Sequence, residues 1–250
     1  FKLKNNLLTK IIIMSILNTI CNKLIIIIYC EYNYISLIFI NYLIKDLIMK
    51  IYEFRRAPNP RRVQMFLVEK NITVEYIQVN VRNGENRESN YLNINPKSGV
   101  PALELDNGNV IAESMAICRY FDAIQPEPFL FGESPEEKGL VEMWNRKIEI
   151  EGMNPVGECL RNSSEAFKDR AVADPRMTKQ IPELAERGSM LANRFLGDIN
   201  ERLSKNKYVA GENFSMADIN LYVFLDFASW VKVIPTEDHQ SLIKWFFLSL

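Results

Sequence analysis

Three short stretches carry residue types and spacings suited to holding an anion. Asn59-Pro60 reads as a helix N-cap and first helical residue, since Asn caps well and proline has no N–H to lose there. The Asn amide donates hydrogen bonds and a helix N-terminus adds positive potential, although the same pair serves equally as a plain cap. Glu113-Ser114 stands where a strand gives way to a helix. The unpaired N–H groups of such a first turn suit a carboxylate, and both residue types also suit simple capping. Val100-Pro101 leads into a strand, with Lys97 just upstream; taken alone the dipeptide reads as the start of an edge strand.

Other chemistries are poorly supplied. The chain has one histidine, His239, and the cysteines Cys21, Cys30, Cys118 and Cys159, with no CxxC pair and no metal-ligand spacing. A reduced, metal-free protein is the expectation. Lys and Arg number 30 against 31 Asp and Glu, a balance that gives no reason to expect a nucleic acid or an anionic membrane as partner. Cys118 falls among the apolar residues of its helix and reads as core. Ser215-Met216-Ala217-Asp218 fits a capping box, with Ser215 as N-cap and Asp218 answering it, and Phe214 and Ile219 occupy the staple positions. These are folding residues without a catalytic role.

The elements that position the three stretches follow from periodicity. Residues 50–54 alternate as a strand, 63–70 show helical spacing up to a stop at Asn71, and 74–79 alternate as a second strand. A strand, helix and strand of these lengths require a parallel pair with a right-handed crossover. A polar stretch at 80–90 is followed by 100–105, the hairpin turn Asp106-Asn107-Gly108-Asn109, the strand 110–112 and a helix over 113–124. Proline and glycine between 126 and 137 mark a linker. Beyond it, residues 140–152, 178–203 and 215–231 read as helices. The expected architecture is an α/β domain over 49–125 and an all-helical domain over 138–250.

Residues 1–48 stand apart. They contain no Gly, Ala, Pro, Val or Arg, and Asn, Lys and Glu interrupt every window that a membrane-spanning helix would need. No small-residue cleavage site follows the apolar run. The expectation is a non-family extension read from upstream DNA, with Met49 as the natural start; a hydrophobic anchor and a targeting segment are the alternatives. At the other end, Trp245 to Leu250 reads as a truncated or mis-spliced terminus.

A βαβ unit, then Val100-Pro101, a hairpin, Glu113-Ser114 opening a helix, and Gly211-Glu212-Asn213-Phe214-Ser215-Met216-Ala217-Asp218-Ile219 in the helical half together resemble the glutathione S-transferase family. Arg56 to Val63 looks most like bacterial and fungal members near the theta, phi and zeta classes. The resemblance implies a thioredoxin-like N-terminal domain and a cis bond before Pro101 that turns the Val100 backbone toward the cysteinyl unit of glutathione. It implies that Ser114 holds the γ-glutamyl carboxylate, that Glu113 lies near the γ-glutamyl amine, and that Lys97 meets the glycyl carboxylate. It implies an electrophile pocket near Trp144, Arg146 and Lys147. The position usually held by a thiol-activating serine is Ala57, a departure from the family pattern, and Tyr52 is one residue out of register for the tyrosine classes. Asn59 is then the candidate thiolate stabiliser.

The implied function is glutathione conjugation to small electrophiles for detoxification, by a cytoplasmic homodimer that uses glutathione as co-substrate and no cofactor. A glutathione-dependent isomerase or dehalogenase, and a non-catalytic glutathione- or ligand-binding protein, are the alternatives; the loss of the serine at Ala57 speaks for the binder.

Overall fold

The computed structural model describes residues 49–248. The readings of 1–48 therefore lie outside the described residues. Strand β1 (Lys50–Glu53) is followed by helix α1 (Pro58–Glu69), strand β2 (Glu75–Gln78), a short helix α2 (Ser89–Leu92), strands β3 (Ala102–Glu104) and β4 (Val110–Ala112), and helix α3 (Ser114–Ile124). The helical half contains α4 (Pro135–Lys147), a π-helical turn over Ile148–Met153, α5 (Asn154–Ser163), α6 (Pro182–Lys205), α7 (Met216–Ser229) and α8 (Gln240–Leu248).

The sheet order is β2-β1-β3-β4, with β1 and β2 parallel and the other pairs antiparallel. The expected βαβ unit and hairpin are both present. Gly108 takes φ +80° at the hairpin, the conformation its turn requires. On α1, Val63, Phe66 and Leu67 are buried, and on α3 Ile117, Cys118 and Phe121. This helical spacing lays one apolar face of each helix on Ile51 and Leu103 of the sheet. Cys118 is core, as expected, and burial pushes its thiol well above the usual range.

Asn71 ends α1 with φ 53°, the left-handed stop its residue type suggested. Beside it, the fully buried Lys70 ammonium donates to Asp122 Oδ1 at 2.6 Å and to the carbonyls of Gln125 at 2.8 Å and Pro126 at 2.6 Å. It therefore fastens the end of α1 to the end of α3.

The capping box of α7 is present. Asp218 Oδ2 accepts from the Ser215 N–H and Oγ at 3.0 Å each, while Oδ1 accepts from Val209 N–H at 3.0 Å and Trp245 Nε1 at 3.1 Å. One carboxylate thus joins the start of α7, the chain before it and α8. Between α5 and α6 the backbones come close at Gly188, where an added Cβ would meet Pro155 O at 2.4 Å and Cys159 N at 2.8 Å. Helices α5 and α8 did not stand out in the sequence. Among the described residues, no helix is long and apolar enough to cross a membrane.

Candidate active site

Strand register gathers the three stretches at one end of the sheet. Tyr52, near the end of β1, pairs with Ala102 at the start of β3, and Ala102 pairs with Ala112 at the end of β4. The residues just beyond these pairs therefore share that edge. They are the 54–57 turn leading to α1, Val100-Pro101, and Glu113-Ser114.

At the first of these, Ala57 N–H donates to Phe54 O at 2.8 Å, which closes a tight turn into α1. The N-cap is Ala57, not Asn59, and no side chain caps it. The expected cap register is corrected by two residues, because Pro58 and Pro60 both fit a first helical turn and the chain uses the earlier one. Asn59 is exposed in that first turn. Neither Pro58 nor Pro60 has an N–H, and the Arg61 N–H is bound to Ala57 O at 3.2 Å. The Asn59 N–H and side-chain amide are therefore the donors that the start of α1 offers outward.

At the second, the Val100–Pro101 peptide is cis. Tyr91 Oη donates to the Gly99 carbonyl at 2.5 Å, and Asn95 Nδ2 donates to it at 2.8 Å, fixing the approach to the proline. Among the described residues, the Val100 N–H and C=O are left without partners.

At the third, Glu113 has φ 72° and ψ 119°, a backbone setting that a residue with a Cβ rarely adopts. Ser114 begins α3 and is buried; its Oγ accepts from Arg62 Nη1 at 3.3 Å. Arg62 is itself 3 % exposed and its Nε finds no acceptor. Burial pulls the guanidinium below its usual pKa, while the charge of Glu149, and to a lesser extent that of Glu113, acts the other way. An under-satisfied cation behind the N-terminus of α3 adds to the positive potential there. Sequence reasoning missed Arg62 as part of the site. The signal was its place four residues before the apolar Phe66, on the same face of α1.

Tyr52 is engaged within the sheet. Its hydroxyl donates to Glu104 Oε2 at 2.7 Å, and burial, with that bond next, pushes its pKa up to about 12. Lys97 lies on the loop before Val100 and points to Asp174 of the helical half, with Nζ 3.4 Å from Oδ2. Trp144 packs within the helical half, its ring under the Arg202 guanidinium of α6 at 5.0 Å and beside Lys147 at 5.4 Å. Arg146 pairs with Glu149 at 2.6 Å on the surface. Ser215 and Asp218 belong to the fold, as expected. No group of three or more His, Cys, Asp or Glu side chains suited to a metal occurs among the described residues.

A small mixed sheet with a cis-proline loop, an open backbone edge and a helix N-terminus beside it defines a thioredoxin-like architecture, followed by a helical domain. Residues 48–123 match the model of the glutathione S-transferase N-terminal domain, and residues 164–247 match that of its C-terminal domain. Glutathione S-transferase 2 of Saccharomyces cerevisiae is 34% identical over 200 residues, covering 79% of this chain and 84% of its own length. Glutathione S-transferase F9 of Arabidopsis thaliana is 29% identical over 203 residues, covering 80% and 90% respectively. A crystal structure of a glutathione S-transferase domain-containing protein from Marinobacter aquaeolei superposes with a TM-score of 0.74 at 34% identity, covering 80% of this chain and 96% of its own. The chain belongs to the glutathione S-transferase family.

Proposed function

We propose that the protein binds glutathione at this sheet edge and conjugates its thiolate to small electrophiles. The observation that carries the reading is the convergence of the unpartnered Val100 backbone with the Arg62-backed start of α3, at one end of the sheet. The Val100 N–H and C=O pair with the cysteinyl unit as an added strand would. Ser114 and its N–H take the γ-glutamyl carboxylate, with Glu113 toward the amine and the Arg62 charge behind it. Lys97 takes the glycyl carboxylate. The sulfur then faces the start of α1, where the Asn59 amide and N–H replace the missing serine and lower the thiol pKa from its free value near ~8.5. Electrophile conjugation for detoxification, a homodimer, a cytoplasmic site of action, no cofactor, and no nucleic-acid or membrane partner complete the reading.

Two measurements test it. Retention on immobilised glutathione, with turnover of a general aryl halide, is expected; retention without turnover of any electrophile would make this a ligand-binding protein, the reading that Ala57 favours. Asn59→Ala should raise the pKa of bound glutathione, followed by thiolate absorbance, by about one unit, the size of one lost charge-assisted hydrogen bond. An unchanged titration would leave Asn59 without a part in the chemistry.

A further inference from the structure

The loop between α5 and α6 reaches from the helical half to the glutathione domain, and Asp174 pins it there. Asp174 is 7 % exposed. Within the loop, Arg176 donates to its carboxylate from Nε at 2.6 Å and Nη2 at 2.9 Å, and from its own N–H at 2.9 Å. From the other domain, Arg87 Nη2 donates to the Asp174 carbonyl at 3.0 Å, and Lys97 Nζ stands 3.4 Å from Oδ2. The partners are unequal. Both cations are largely exposed, but Arg176 holds the carboxylate in a short two-pronged pair, whereas Lys97 makes a single long contact. Exposed pairs of that kind are weak and screened by water. The carboxylate also stays neutralised by Arg176 if Lys97 leaves.

Positive charge is in surplus around this point. Arg161 is held below its usual pKa first by burial and then by the neighbouring charges of Arg87 and Arg170. An additional anion arriving here meets a cation that already has a dispensable partner.

We propose that Asp174 is a built-in competitor for the glycyl carboxylate of glutathione: Lys97 gives up Asp174 for the ligand, and this releases one polar tie between the 164–181 loop and the glutathione domain. The inference rests on the reading of Lys97 as the glycyl cation. Its consequence is reciprocal. Whatever holds the loop down weakens glutathione, and glutathione loosens the loop by the same factor.

The test is calorimetric titration of glutathione and of its glycyl monoethyl ester into the wild type, Asp174→Asn and Lys97→Gln. Asp174→Asn should bind glutathione about two- to fivefold tighter, the range of a lost exposed pair, and bind the ester unchanged. Lys97→Gln should abolish the preference for the free acid, and in that background Asp174→Asn should change nothing. Equal tightening toward acid and ester would overturn the exchange, since the loop would then act by shape alone; so would an unaltered affinity in Asp174→Asn. If Lys97→Gln keeps the full preference for the acid, the reading of Lys97 itself fails. Hydrogen exchange gives a second readout. Amides 171–177 should exchange faster when glutathione binds the wild type, and Asp174→Asn should exchange fast without it; slower exchange on binding would also overturn the proposal.

Discussion

The Arg62 guanidinium reaches the Ser114 hydroxyl across 3.3 Å of interior, so α1 is bonded near its start to the first residue of α3. Arg62 is costly to bury, with one donor left without an acceptor.

That cost separates function from stability. Arg62→Met should leave the unfolding free energy unchanged or raise it by up to about 1 kcal/mol, because an apolar side chain of similar length removes the desolvation. Glutathione affinity should fall at least about tenfold, a loss of roughly 1.4 kcal/mol. Chemical denaturation and calorimetric titration of the same preparation check both halves. A midpoint lowered in step with affinity would make Arg62 a structural residue.

Lys70 behaves in the opposite way. Its ammonium is fully enclosed and bound to Asp122 and two carbonyls, so Lys70→Met should lower stability by about 3 kcal/mol by leaving those acceptors unpaired. A shift of the urea midpoint reports it. The far-UV spectrum should be unaltered.

Asp218→Ala should cost about 3 kcal/mol or more. A plain cap is worth about 1, but this carboxylate also serves Val209 and Trp245. Burial raises its folded pKa above the ordinary carboxylate value, outweighing the bonds from Val209, Ser215 and Trp245 that lower it. The folded state thus holds this proton more tightly than the unfolded one. Its contribution is complete below the unfolded pKa of about 4 and is lost as pH rises through the raised value. The stability gap between wild type and Asp218→Ala should therefore narrow as pH increases from about 4, which denaturation midpoints across a pH series will show.

Tyr52→Phe should leave the titration of bound glutathione where it is. Its hydroxyl is engaged by Glu104 and its pKa stands at about 12. Stability should fall by about 1 kcal/mol, the ordinary value of such a bond.

What the sequence revealed and what it hid divide along a physical line. Val100-Pro101, Glu113-Ser114 and the Gly108 turn are local signals, since each depends on the backbone preferences of neighbouring residues. The strands and α1 were legible for the same reason. Arg62 and Lys70 were not, because their burial depends on Ser114 and on Asp122, each 52 residues away. The cap of α1 was misplaced because two prolines two residues apart offer equally good starts. Helix α5 was hidden by its entry: the helix read from the sequence ends at Gly152, yet the chain runs on as a π-helical turn into a helix that opens with Asn154 and Pro155. The Asp174 tie had no sequence signal, because a loop aspartate becomes informative only when the arginines and the lysine around it are seen.

The near-contact at Gly188 sets the mechanical boundary of the 164–181 loop. With no side chain between them, α5 and α6 cannot slide along or rock against each other without backbone collision at Pro155 and Cys159. Both ends of the loop are thus clamped to one stiff unit a fixed distance apart. Opening at Asp174 is then expected from rotation about bonds inside the loop itself, with the closely packed α5 and α6 as its frame.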